Sequence, residues 1–283
     1  MLISGSFQPC GTIGAWLEPS SDRTWPQRRH WRRRVVPFVW NYRPIDSLRK
    51  VVPGTPRSNR FVTSLKCRAA RRDPARANSH TIRVYNALTG RLLRTYEFPT
   101  AGFINDLVIT RNAVYATDSN NAQLAVVPLG RFGRLPAPSA ATLLPLGGEF
   151  VLASGFNNNG IVARNGWLIA VQSNTGILYR IDPKTGDARK IVTTYVATNG
   201  DGLALRNGKL YVVRNQNNLV AVLNLGSDLL SATLVGEITS PGNLEVPTAA
   251  TFALDKLWVV NARFNTPPTP TTPYWITRLP TSP

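Results

Sequence analysis

Four stretches decide how this chain is read: Phe103–Asp118 (FINDLVITRNAVYATD), Asn157–Gln172 (NNNGIVARNGWLIAVQ), Asn199–Arg214 (NGDGLALRNGKLYVVR) and Val246–Asn261 (VPTAATFALDKLWVVN). They align without gaps. In each, a polar residue (Asn105, Asn159, Asp201, Thr248) starts a short hydrophobic run, and nine residues later an apolar residue (Val114, Leu168, Leu210, Leu257) opens a second run. Between the runs lies a turn: Arg111-Asn112, Asn165-Gly166, Asn207-Gly208 or Asp255-Lys256. Asn-Gly is a strong hairpin signal because both central residues tolerate a positive φ. The polar anchors are 54, 42 and 47 residues apart.

Outward from these hairpins, further strands recur at Gln123–Pro128, Ile177–Asp182 and Leu219–Asn224. Ile82–Asn86 and Leu92–Glu97 read as the outer strands of a preceding unit. The runs Asn86–Gly90 (NALTG) and Asp182–Gly186 (DPKTG) supply matching outer hairpins. A repeat in the forties to fifties with about four strands per unit is the mark of a β-propeller. The fold class is therefore all-β, a propeller with about four blades over 80–283, preceded by an irregular basic segment over 1–79.

That leader differs in composition. The formal charge is +18, and residues 1–80 carry 16 basic and 4 acidic side chains against 17 and 11 in the remainder, so two thirds of the excess sits there. Around the run Arg28-Arg29-His30-Trp31-Arg32-Arg33-Arg34, neither period 2 nor period 3.6 persists. The segment reads as a disordered or mistranslated leader, with an organelle transit peptide and an anion-binding arm as the other two readings. Nucleic acid is not expected as the main partner; binding through the Arg-Trp leader would show as a steep salt dependence.

Several chemistries are excluded. The only histidines are His30 and His80, so residues 81–283 hold no Ser-His triad and no imidazole metal cluster. Cys10 and Cys67 stand far apart, without CxxC spacing. No apolar run is long enough to span a membrane, and no secretory signal peptide is visible.

The first strand of a propeller blade lines the central channel. The four anchors then form a polar ring of Asn105, Asn159, Asp201 and Thr248. An oxygen-rich ring without Cys or His suits a hard cation such as Ca²⁺, and a lone Asp beside amides can serve as a general base. Asn and Asp also start strands simply because they fit turn geometry. That explains the residue types but not the shared channel-facing position.

The runs FINDLVIT, NNNGIVA and NGDGLAL resemble successive inner strands of the family of senescence marker protein, gluconolactonase and luciferin-regenerating enzyme. The tail VPTAATF…LWVVNARFNTPPTP resembles the last blade of its secreted bacterial branch. The resemblance implies a six-bladed propeller, one divalent cation (Ca²⁺ in the first place, Zn²⁺ or Mn²⁺ as alternatives), hydrolysis of a lactone or related ester, and an extracellular location. It matches the family's metal-binding Asn to Asn159, its metal-binding Asp and general base to Asp201, and its substrate-positioning Asn to Asn105. Thr248 joins the substrate side of the ring.

The family's remaining ligand, a Glu in an early Glu-Gly motif, has no counterpart in residues 1–79, where Glu18 lies in Trp-Leu-Glu-Pro. The expectation is that two blades are missing or that the leader is read in another frame. Two functions follow: a metal-dependent lactone or ester hydrolase, or a non-enzymatic propeller binding a sugar, peptide or protein. A complete ring would be a monomer.

Overall fold

The computed structural model describes residues 48–51, 61–69, 77–86, 89–253 and 255–283. The Arg28–Arg34 run, Cys10 and Glu18 lie outside the described residues. Among the described residues, twenty strands form five sheets. The first contains β1 (Leu48–Val51), β2 (Phe61–Ala69), β3 (Ala77–Asn86) and β4 (Leu92–Glu97), in that order. The second contains β5 (Ile104–Ile109), β6 (Ala113–Asp118), β7 (Gln123–Pro128) and β8 (Thr142–Pro145).

In the third sheet, β10 (Asn158–Arg164), β11 (Trp167–Gln172), β12 (Leu178–Ile181) and β13 (Asp187–Lys190) are joined at the outer edge by β9 (Gly147–Gly148), which pairs parallel to β13. The fourth holds β14 (Gly200–Arg206), β15 (Lys209–Arg214), β16 (Leu219–Leu225) and β17 (Ala232–Thr239). The fifth holds β18 (Pro247–Ala253), β19 (Lys256–Asn261) and β20 (Ile276–Leu279). From Ile104 onward the chain thus makes four consecutive blades, each an antiparallel meander begun by one of the four aligned stretches.

β3 and β4 are the expected outer strands of a preceding unit. Their sheet is completed by β1 and β2, which lie within the stretch read as irregular. Alternation there is confined to Leu65-Lys66-Cys67-Arg68-Ala69, too short a run to separate a strand from chance.

The core lies in the seams between sheets. Ile82, Val84 and Tyr96 pack against Ile104, Leu107 and Ala116. Ile169 and Val171 meet Leu203 and Val212, and Tyr211 and Val222 meet Leu257 and Val259. Because both faces of the second, third and fourth sheets are covered, their second strands bury consecutive residues rather than alternate ones, as β6 does throughout. This is why the sequence shows apolar runs instead of a period-2 pattern.

The Asn-Gly turns close as their residues dictate, with positive φ at Asn165 (51°), Gly166 (85°), Asn207 (49°) and Gly208 (81°). The outer hairpins match as well: Gly90 N–H donates to Asn86 O and Gly186 N–H to Asp182 O, both at 2.9 Å.

A continuous belt of backbone bonds joins the blades. Ser119 N–H donates to Phe103 O, Asn157 N–H to Ser119 O, Ser173 N–H to Asn157 O and Asn199 N–H to Ser173 O, all at 2.8 Å, and Asn215 N–H donates to Asn199 O at 3.0 Å. Beside this belt, the last residue of each second strand holds the loop that leads into its own blade. Asp118 accepts from the N–H groups of Gly102 and Phe103 (2.9 and 2.8 Å), and Gln172 Nε2 donates to Val151 O at 2.9 Å. Arg214 Nε donates to Thr198 O and Asn261 Oδ1 accepts from Glu245 N–H, both at 2.8 Å.

Asp118 is fully buried and accepts further bonds from Asn120, Asn121 and Gln123. Burial pushes its pKa up, but the hydrogen bonds from Phe103, Gly102, Gln123 and Asn120 outweigh it and hold the carboxyl below its ordinary value. A depressed carboxylate stabilises the fold above its unfolded pKa, and this contribution fades as pH falls towards the folded value. Asp118→Ala is expected to cost about 3 kcal/mol at pH 7 by leaving the loop's N–H groups unpaired. In urea denaturation, Asp118→Asn should show a smaller loss of stability than the unmutated chain between pH 4 and pH 2.5.

Candidate functional site

The inner strands β5, β10, β14 and β18 carry the same defect at the same place. Pairing shifts by one residue between Ile104 and Leu107, Asn158 and Ile161, Gly200 and Leu203, and Pro247 and Ala250. In each, two residues on the inner strand oppose one on its partner, which is a β-bulge. The first bulged residues are Asn105, Asn159, Asp201 and Thr248. The aligned polar ring is therefore placed by four equivalent bulges on inner strands that pack side by side in the order β5, β10, β14, β18.

The second bulged residues are Asp106, Gly160, Gly202 and Ala249, and they set the spacing between strands. A Cβ on Gly160 would stand 2.1 Å from Asp201 O, and one on Gly202 would stand 2.6 Å from Thr248 O. Glycine is needed at these two seams because backbone meets backbone. At the β5–β10 seam the corresponding residue is Asp106. Its carboxylate spans the gap, accepting from Leu107 N–H at 2.8 Å and from Ile161 N–H at 3.2 Å.

Around that seam the hydroxyls tie the two strands together. Thr117 Oγ1 accepts from Asp106 N–H (3.1 Å) and donates to Asn159 O (2.7 Å). Ser119 Oγ accepts from Asn105 Nδ2 (3.0 Å) and donates to Asn158 O (2.6 Å).

Of the four ring residues, Asn105 is thus turned into the seam by its amide. Asn159 is 7% exposed, and its side-chain oxygen has no hydrogen-bond partner. Asp201 keeps some exposed surface as a residue while its carboxyl lies deep; Oδ2 accepts from Asn215 Nδ2 at 3.0 Å. Burial pushes the Asp201 carboxyl up to about 7, opposed by the Asn215 bond and reinforced by the charge of Asp106. Thr248 is half-buried.

Two residues escaped the sequence reading. Asp106 breaks a position that is Gly in the next two blades, and that break was the available signal. Asn158 is fully buried with both side-chain polar atoms unpartnered; it occupies a position held by Ile104, Gly200 and Pro247 in the other blades, so the repeat marked nothing polar there.

Among the described residues no group of three His, Cys, Asp or Glu side chains converges on a point that could hold a metal. What the ring does offer is oxygen: the buried, unpartnered Asn159 Oδ1 and the Asp201 carboxyl, raised in part by a second negative charge. A hard cation fits such donors, since it would satisfy the first and offset the repulsion at the second.

No family model matches the chain, and no curated protein matches it. Solved structures do. A catalytically inactive variant of virginiamycin B lyase from Staphylococcus aureus, solved with quinupristin, superposes with a TM-score of 0.52 at 17% identity, over 84% of this chain and 71% of that one. A streptogramin B lyase gives 0.52 at 18% identity, over 84% and 70%. The fold is a β-propeller. A nidogen/laminin complex superposes at 0.51 and 13% identity, over 72% and 68%. Propellers so divergent share architecture and leave function to the residues each presents. No helix among the described residues is long and apolar enough to cross a membrane.

The tight seam gives a direct check on the ring's placement. Gly160→Ala should lower stability by about 3 kcal/mol, because the new methyl meets Asp201 backbone rather than a movable side chain. Asn165→Ala, in the exposed turn of the same hairpin, should cost about 1 kcal/mol. Thermal melts of the two variants separate these effects.

Proposed function

We propose that this propeller, of the six-bladed type, hydrolyses a lactone or related ester at its polar ring with the help of one divalent cation. The observation that carries the reading is the conjunction, at equivalent bulges of adjacent strands, of an enclosed carboxyl held near neutrality and a buried amide oxygen without a partner.

Asn159 and Asp201 would hold the cation, Ca²⁺ in the first place and Zn²⁺ or Mn²⁺ as alternatives. When bound, it would polarise the substrate carbonyl and ease deprotonation of the attacking water. Asp201 receives that proton on its carboxyl as the water oxygen bonds to the carbonyl carbon. It returns the proton to the ring or ester oxygen as the C–O bond breaks, so the products are the hydroxy acid, or the acid and alcohol. A bound cation would favour the ionised form of this carboxyl, the form that accepts the proton from water. Asn215, donating to one oxygen, fixes the carboxyl's orientation. Asn105 and Thr248 flank the pair and orient the substrate.

The absence of a Glu-Gly motif from residues 1–79 favours a second reading, a binding platform for a sugar, peptide or protein. The two readings separate experimentally. On the hydrolase reading, Asp201→Asn lowers kcat on a panel of γ- and δ-lactones and aryl esters by about 10²- to 10⁴-fold. Ca²⁺ at about one hundred times its Kd raises stability by about 2.7 kcal/mol, and Asn159→Ala removes that gain. Full activity in Asp201→Asn overturns the mechanism. Inertness towards the whole panel with Ca²⁺, Zn²⁺ and Mn²⁺ leaves the binding platform.

A further inference from the structure

The connections that run into the inner strands are of two kinds. Those into β5 and β18 turn their apolar side chains inward: Phe98, Ala101 and Phe103 are buried in the first, Leu244 and Val246 in the second. Those into β10 and β14, the strands of Asn159 and Asp201, leave apolar side chains in water. Val151 is 66% exposed, Leu152 47% and Val196 59%.

These side chains sit on a fixed backbone. Val151 O accepts from Gln172 Nε2 at 2.9 Å. Ala153 N–H donates to Asn157 Oδ1 and Ala153 O accepts from Asn157 Nδ2, both at 2.9 Å. Ala197 N–H donates to Gly176 O at 3.0 Å, and Gly200 N–H closes the turn onto Ala197 O at 2.8 Å, immediately before Asp201.

Both loops are tied to the same turn of the third sheet. Asn174 N–H donates to Phe156 O at 3.0 Å and Asn199 N–H to Ser173 O at 2.8 Å. The loops themselves carry little charge, although Arg214 donates to Thr198 O and to Tyr195 Oη, both at 2.8 Å, and Tyr195 Oη donates to Glu237. The loop 191–199 (IVTTYVATN) has none, and the loop 149–157 has only Glu149, which accepts from Lys190 N–H. Val192, in the same loop as Val196, belongs elsewhere: it bridges to Ser231 at the outer edge of the fourth sheet.

We infer that Val151, Leu152 and Val196 form an apolar lip beside the polar ring that receives a hydrocarbon substituent of the substrate. The substrate class is then an alkyl- or aryl-substituted lactone or ester rather than a bare sugar lactone. The inference rests on the hydrolase reading above for the reacting group. The lip's continuity with the loops that deliver Asn159 and Asp201, the apolar character of its own three side chains and its small extent point to this occupant. Three side chains fall far short of the roughly 20 to 30 residues a side of a stable protein interface.

The test is a series of γ-lactones from unsubstituted to octyl-substituted, assayed on the full chain and on the triple variant Val151→Ser, Leu152→Ser, Val196→Ser. The unmutated chain should gain up to about fourfold in kcat/KM per methylene. In the triple variant the octyl-to-unsubstituted ratio should fall by at least about tenfold. A flat chain-length profile in the unmutated chain, or an unchanged ratio in the variant, overturns the lip while leaving hydrolysis intact.

If no lactone is turned over, the hydrolase reading has failed, and calorimetric titration with the matching alkyl-substituted γ-lactams decides the lip separately. A Kd that tightens with chain length and loses that trend in the triple variant supports it; no trend overturns it. Sedimentation that finds a dimer in the unmutated chain and a monomer in the variant assigns the patch to a second copy and also overturns the proposal.

Discussion

The arrangement rests on one backbone irregularity used four times. A bulge near the start of β5, β10, β14 and β18 inserts one residue into the ladder, and the extra residue turns the strand as it passes its neighbour. Because the bulges fall at equivalent positions, the inner strands approach closely enough for Gly160 and Gly202 to lie against carbonyl oxygens of the next strand. The belt from Phe103 to Asn215 then runs unbroken through three blades. Seam cores, loop anchors and the polar ring all take their positions from this spacing. Loss of one bulge would also flip the following residues to the opposite face of the sheet.

Much of this was legible in the sequence, for a definable reason. A hairpin whose turn needs positive φ and whose strands are buried on both faces leaves an imprint of turn residues between apolar runs. The two Asn-Gly stretches carry that imprint and the other two align with them, so the blades, their hairpins and the common position of Asn105, Asn159, Asp201 and Thr248 could be read directly. The bulges could not, since an alignment without gaps does not reveal how strands pair. The loop anchors were hidden differently. Asp118, Gln172, Arg214 and Asn261 perform one task with a carboxylate, an amide, a guanidinium and a second amide, so no shared residue type marks them. Asp106 stayed hidden because its value lies across the seam, on Ile161, and not in its own strand.

The ring is electrostatically uneven, and the unevenness is built by geometry. Two carboxylates sit on strands separated by β10, but they differ in how they are satisfied. Asp106 receives two backbone N–H groups, whereas the Asp201 carboxyl, one oxygen of which is bonded by Asn215, lies deeper. The charge of Asp106 therefore acts on Asp201, the less compensated partner, and helps to raise it. Asn158 and Asn159 place further polar atoms against the same region without partners of their own. Burying unmet polarity of this kind opposes folding; its concentration around β10 sets this seam apart from the two glycine seams.

The equivalence of the four bulges also bears on how such a site changes over generations. Each first bulged residue is placed by backbone pairing, whatever its own side chain, with Asp106, Gly160, Gly202 or Ala249 beside it. The ring thus behaves like a set of interchangeable sockets: Thr248 occupies the same kind of position as Asp201, and one codon change there alters the ligands offered without disturbing the ladder. A fold that separates where a group is held from what the group is can acquire a new chemistry by single steps, and can lose an old one as easily.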